Sequence, residues 1–187
     1  MNLPSLITWA RVVAIPVFIL CYFFPTPHKH LVLSILFMVA AATDWLDGYL
    51  ARKWNQTSSF GAFLDPVADK LLVAVALIAI VDNDPHKWYL TLSVMIIISR
   101  EITISALREW MASMGERGVV AVSWIGKWKT AFQMASITFL LYGKKLFGIP
   151  LYEVGLIFMI IATVLTLWSM VQYLYSTWKV LSIKENL

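Results

Sequence analysis

The sequence predicts an all-α integral membrane protein: one domain over residues 1–187, built as a bundle of six transmembrane helices with both termini in the cytoplasm. Three observations predict it. The 187 residues are 60% hydrophobic and 14% charged, with a mean hydropathy of +0.75, whereas a soluble domain is about 45–50% apolar and about 25% charged. The apolar residues gather into runs near the roughly 20 residues that cross a bilayer. Lys and Arg are unevenly shared between alternate loops, as the positive-inside rule expects of a multi-pass protein. With 9 Trp, 10 Phe and 7 Tyr, and no dense basic run, a disordered chain and a nucleic-acid binder are both excluded.

The first helix is expected over 5–24, left at Pro25 and Pro27, with Trp9 and Arg11 suited to the membrane interface. The N-terminus shows neither the basic start nor the small-residue cleavage site of a signal peptide, so this helix is expected to be retained. Cys21, the single cysteine, lies in an apolar run and reads as packing. The second helix is expected from about 31 to 53. The third follows possible N-caps at Thr57, Ser58 and Ser59 and reaches about 81. The fourth covers about 88–113, the fifth about 123–142, and the sixth about 150–180. Arg11, Arg52, Lys53, Arg108, Arg117, Lys127, Lys129, Lys179 and Lys184 fall on one set of ends and loops, against Lys29, Lys87, Lys144 and Lys145 on the other. This bias places the first set, and both termini, in the cytoplasm. His28, His30 and His86 fall on the outer loops and are not expected to be catalytic. Asp82, Asn83 and Asp84 read as a solvated turn, and Glu109, Glu116 and Arg117 as exposed loop.

Acids are scarce, 11 in all, yet Asp44, Asp47, Asp65 and Asp69 lie within residues 44–69. A carboxylate in an apolar helix costs at least about 2.5–3.5 kcal/mol on insertion scales, and four together repel. On the second helix Asp44, Asp47, Gly48 and Ala51 form one stripe at helical spacing. On the third, Gly61, Asp65, Ala68 and Asp69 form another. A short turn between the helices makes them antiparallel neighbours and lets the stripes face each other. Four carboxylates without nearby His or Cys suit hard cations, Mg²⁺ or Mn²⁺, and can hold two of them around a phosphoryl group. On residue types alone, an ion pathway through a transporter and a structural polar network remain open.

Residues 44–69 carry the pattern D-x2-D-G-x2-A-R-x8-G-x3-D-x3-D without departure. This resembles the CDP-alcohol phosphotransferase family, and the likeness continues at Thr43 and through 60–70, 99–101, 105–110 and 121–127. The resemblance implies transfer of the phosphatidyl group from CDP-diacylglycerol to sn-glycerol 3-phosphate, releasing CMP. It also implies six transmembrane helices, two divalent ions, often a homodimer among membrane lipids, and an active site on the cytoplasmic face of a bacterial inner membrane. Carried over to these positions, Asp44, Asp47 and Asp65 would ligate metal, and Asp69 would ligate metal or act as general base. Gly48, Ala51, Arg52 and Gly61 would line the CDP pocket. Close helix packing is the alternative for Gly48 and Gly61.

A second set of charges lies in the fourth and fifth helices. Arg100 and Arg108 stand near one face with Ser105 between them, and Lys127 and Lys129 open the fifth helix. Cations facing an acidic, metal-loaded site point to a phosphorylated acceptor, held by Arg100, Arg108 and Lys127. Lys129 is placed with them, although it points away from Lys127 on the helical wheel. Pairing of Arg100 with Glu101 or the aspartates is the alternative, as is an interfacial role for the lysines. Other acceptors (inositol phosphate, serine or phosphatidylglycerol) would use the same chemistry.

Overall fold

The computed structural model describes residues 3–54, 59–115 and 124–185, with side-chain surroundings given for 9–43, 67–115, 126–180 and 182. Among the described residues there are six helices: α1 (Leu3–Phe23), α2 (Lys29–Trp54), α3 (Ser59–Asn83), α4 (Trp88–Ser113), α5 (Trp124–Tyr142) and α6 (Leu151–Glu185). Each expected helix is present. The sixth is longer than expected: its 35 residues span about 50 Å, more than the roughly 30 Å of a hydrocarbon core. A two-stranded hairpin between α5 and α6, β1 (Lys145–Leu146) and β2 (Ile149–Pro150), was not expected. It turns on Phe147 (φ 50°) and Gly148 (φ 82°), and two successive positive φ angles are what a two-residue hairpin turn requires.

The helices alternate in direction. Contacts at one end of the bundle join the C-terminal ends of α1, α3 and α5 to the N-terminal ends of α2, α4 and α6. Tyr22 donates to Asp82 at 2.6 Å, and His30 Nδ1 donates to the Leu141 carbonyl at 3.3 Å. Lys87 donates to Asp84 at 3.0 Å and to the Tyr152 hydroxyl at 2.7 Å, while Tyr152 itself donates to Asp84. Those hydrogen bonds, from Tyr152 first and then Lys87, hold the Asp84 carboxyl below its ordinary pKa. Asp82 and Asp84, expected in a solvated turn, instead tie helices together, because partners from α1 and α6 reach them.

The core runs through the middle of the bundle: Phe18 of α1, Leu33 and Phe37 of α2, Leu72, Ala76 and Leu77 of α3, Ile97 of α4, Ile137 of α5 and Met159 of α6 are all buried. Cys21 packs against this core, as expected of an inert thiol. The opposite faces expose Leu20, Met38, Ile78, Met95, Val164 and Val171. Apolar exposure on every side is what lipid contact requires and what soluble monomers avoid. Among the described residues, Trp88–Ser113 and Leu151–Val180 are long and apolar enough to cross a membrane.

Arg11 departs from expectation. It is 2% exposed rather than interfacial. Residues 11, 15, 18 and 22 form one helical stripe, and Ile15, Phe18 and Tyr22 all pack into the core, so Arg11 is carried inward with them.

Helices α5 and α6 cross closely at Gly155. A Cβ there would stand 3.0 Å from Leu140 Cγ and 3.2 Å from the Leu140 backbone nitrogen, and Ser136 Oγ donates to the Gly155 carbonyl at 2.7 Å. Gly155→Ala is therefore expected to destabilise the bundle by about 1–3 kcal/mol, the usual cost of overpacking. Thermal unfolding in detergent measures this, and an unchanged midpoint would contradict so close a crossing.

Candidate active site

The motif helices are the C-terminal half of α2 and the N-terminal half of α3, at the end of the bundle opposite the Asp84 cluster. The helical backbone of α2 covers Asp44, Asp47, Gly48, Ala51 and Arg52, and that of α3 covers Gly61 and Asp65. The side chains of these seven fall outside the described surroundings, so the facing of the two acidic stripes does too. Asp69 is described. It is half-buried and lines a cleft of about 100 Å³ with Lys70 and Val73 of α3, Glu101 of α4, and Thr130, Gln133 and Met134 of α5. Asp69 is thus delivered to a junction of three helices.

The walls of this cleft carry charge. Glu101 accepts from Lys129 Nζ and, at 3.4 Å, from Arg100 Nη1. Lys129 and Arg100 are almost fully buried, with side chains 4% and 7% exposed, and Glu101 is 25% exposed. An unpaired charge at such a position would cost several kcal/mol, so the shared carboxylate is what makes both cations tolerable there. Arg100 Nη2 also donates to Ser169 Oγ of α6 at 3.3 Å. The pairing of Arg100 with Glu101 is therefore present, and it leaves other guanidinium donors available.

Arg108 is exposed two turns nearer the end of α4, and its Nη2 donates to the Tyr173 hydroxyl at 3.2 Å. Lys127 is exposed, whereas Lys129 faces inward. Two residues along a helix is a rotation of about 200°, so only one of these lysines can face into the bundle, and the packing of α5 selects Lys129. Sequence reasoning weighed the pairing of Arg100 with Glu101 but missed the sharing of that carboxylate with Lys129, and it missed Tyr173; away from this cleft it also missed the burial of Arg11. A signal existed for Arg11 in its stripe with Phe18. For Glu101 it lay in the fact that an acid in the middle of an apolar helix needs a cation beside it.

Asp69, Glu101, Thr130 and Gln133 offer oxygen ligands in the cleft, beside the Lys70 ammonium and the Met134 thioether, with no thiol or imidazole lining it. This chemistry fits a hard divalent cation. Among the described residues no three acidic, His or Cys side chains cluster.

The sequence matches the CDP-alcohol phosphatidyltransferase family over residues 1–168. Curated relatives include proteins of Escherichia coli (strain K12), Shigella flexneri serotype 5b (strain 8401) and Shigella boydii serotype 4 (strain Sb227), each named CDP-diacylglycerol–glycerol-3-phosphate 3-phosphatidyltransferase. Each is 50% identical over 173 residues, covering 92% of this chain and 93% of the relative.

Removing the shared carboxylate should expose its role. Glu101→Gln is expected to destabilise the protein by roughly 3 kcal/mol, because two inward cations lose their counter-charge. Adding Lys129→Met to that variant should recover part of the loss. A thermal-unfolding cycle in detergent tests this, and equal losses in the single and double variants would refute the pairing.

Proposed function

The chain belongs to the CDP-alcohol phosphatidyltransferase family, and from that premise we propose that it is a membrane-embedded transferase moving the phosphatidyl group of CDP-diacylglycerol to sn-glycerol 3-phosphate. The products are phosphatidylglycerophosphate and CMP. One observation carries the reading: the unbroken aspartate motif ends at Asp69, in a cleft that also holds Lys70 and Glu101, the carboxylate paired with buried Lys129 and Arg100. Relatives at 50% identity over nearly the whole chain bear the name of this reaction. The proposed topology has six spans, both termini in the cytoplasm and the cleft facing the cytoplasm of a bacterial inner membrane. The loop-charge bias supports it. The proposed assembly is a homodimer.

The site residues divide the work. Asp44, Asp47, Asp65 and Asp69 would hold two divalent ions, Mg²⁺ or Mn²⁺. Bound there, such ions neutralise the pyrophosphate and the charge that builds on departing CMP. Gly48 and Gly61, lacking side chains, let the nucleotide approach the backbone beside Ala51, and Arg52 forks onto phosphate or ribose oxygens. The acceptor hydroxyl attacks the phosphorus bonded to diacylglycerol as the bond to CMP breaks. Asp69, on the cleft wall, either completes the metal ligands or, where it does not ligate metal, accepts the proton that this hydroxyl loses. Arg100 and Arg108 grip the acceptor phosphate, which serine lacks. Exposed Lys127 draws the anion toward the mouth, and buried Lys129 holds Glu101 against the wall.

Purified protein is expected to release CMP from CDP-diacylglycerol only when sn-glycerol 3-phosphate and Mg²⁺ or Mn²⁺ are both present. Asp44→Asn should reduce that release to background even in excess Mg²⁺. Equal release with serine would refute the acceptor, and cation flux in liposomes without CMP release would refute the enzyme. Arg108→Ala is expected to raise the KM for sn-glycerol 3-phosphate about tenfold or more, the usual worth of a charge-assisted hydrogen bond. Its KM for CDP-diacylglycerol should barely move, and the reverse pattern would refute the clamp.

A further inference from the structure

Along α6, Thr163, Thr166, Ser169, Tyr173 and Thr177 follow the spacing of one helix face, and all are buried. Thr163, Ser169 and Thr177 donate to carbonyls of their own helix at 2.8–2.9 Å, which lets small hydroxyls sit in an apolar helix. Tyr173 is different. Its ring lies 5.5 Å from the Arg100 guanidinium carbon and 5.4 Å from that of Arg108, and its hydroxyl accepts from Arg108. The two arginines stand eight residues apart on α4, roughly 12 Å along the axis, so both side chains lean toward one ring. Ile104 and Met111 of α4 pack around Tyr173 and hold that ring in place.

We propose that Tyr173 is a positioning residue for the acceptor: its ring gathers the Arg100 and Arg108 guanidinia into one clamp sized for a single phosphomonoester. Two cations drawn toward one ring repel each other, and without that ring nothing on this face of α6 would hold both. The electron-rich ring attracts both. The Tyr173 hydroxyl and the Ser169 hydroxyl each occupy one guanidinium donor, leaving others of the five on each arginine for a ligand. Buried Arg100 Nε has no hydrogen-bond partner among the described residues, as a donor reserved for an incoming oxygen would. Tyr173 lies beyond residue 168, where the family match ends, so it is no part of the shared motif. The proposal rests on the acceptor clamp of the preceding subsection.

The test uses the full-length protein in detergent, with Tyr173→Leu, Tyr173→Phe and Arg108→Ala compared. Tyr173→Leu removes the ring. It should raise the KM for sn-glycerol 3-phosphate about tenfold and weaken inhibition by inorganic phosphate in parallel, with the KM for CDP-diacylglycerol within about twofold. Tyr173→Phe keeps the ring and should raise the acceptor KM only about two- to threefold. An unchanged acceptor KM in both variants, both KM values rising together, or a fall in kcat alone would overturn the positioning role. If Tyr173→Leu fails to fold, as thermal unfolding would reveal, the Phe variant decides: an acceptor KM equal to that of the parent overturns the role. If Arg108→Ala also leaves the acceptor KM unchanged, the clamp itself has failed. If that variant raises it while both Tyr173 variants are silent, only the positioning role falls.

Discussion

The Glu101 carboxylate lies between two inward cations, Lys129 from α5 and Arg100 from its own helix, and the active end of the bundle is organised by that contact. In an apolar interior a charge survives only beside its opposite. Because Glu101 meets Lys129 and Arg100 at one point, α4 and α5 must present those faces to each other. Ser169 then brings α6 into the same arrangement through Arg100. One anion against two cations leaves this wall net positive. Asp69, from α3, lines the same cleft as Glu101.

The two ends of the bundle use polar residues differently. At one end Tyr22, Asp82, Asp84, Lys87 and Tyr152 are matched to one another by direct hydrogen bonds. These close off the helix termini and hold the loops. At the other end Arg100 and Arg108 keep donors beyond those their neighbours occupy. Saturated polar groups hold structure, while groups with capacity left over are available to a ligand. The Gly155 crossing lies toward the saturated end, so close α5–α6 packing supports the far half without crowding the cleft.

Much of the fold was legible from residue type and order. Helix positions followed from apolar run lengths, and their ends agreed to within a few residues, apart from the longer α6. The hairpin of residues 145–150 was not, because two-residue strands carry too little alternation to register. In the candidate site, the motif singled out Asp69, which the structure places on a cleft wall, since motif spacing is a local property of one helical stripe. The Lys129 contact of Glu101 and the Arg108 contact of Tyr173 were harder, because each joins residues far apart in the chain. Lys127 and Lys129 make the point most sharply. The helical wheel showed that they diverge, but which one turns inward depends on where α3 and α4 lie against α5.

By itself, then, the sequence determined that the chain is an apolar helical bundle, that four of its 11 acids form one motif, and that this motif belongs to CDP-alcohol chemistry. These are properties of composition and short-range spacing, which the helical period of about 3.6 residues converts directly into faces. Only the tertiary structure decided which cations enter the bundle, which carboxylate receives them, and which aromatic ring on α6 stands between Arg100 and Arg108. Charge burial is a property of neighbours rather than of position in the chain: Arg100 meets Glu101 beside it, but Lys129 reaches Glu101 across 28 residues and Ser169 meets Arg100 across 69.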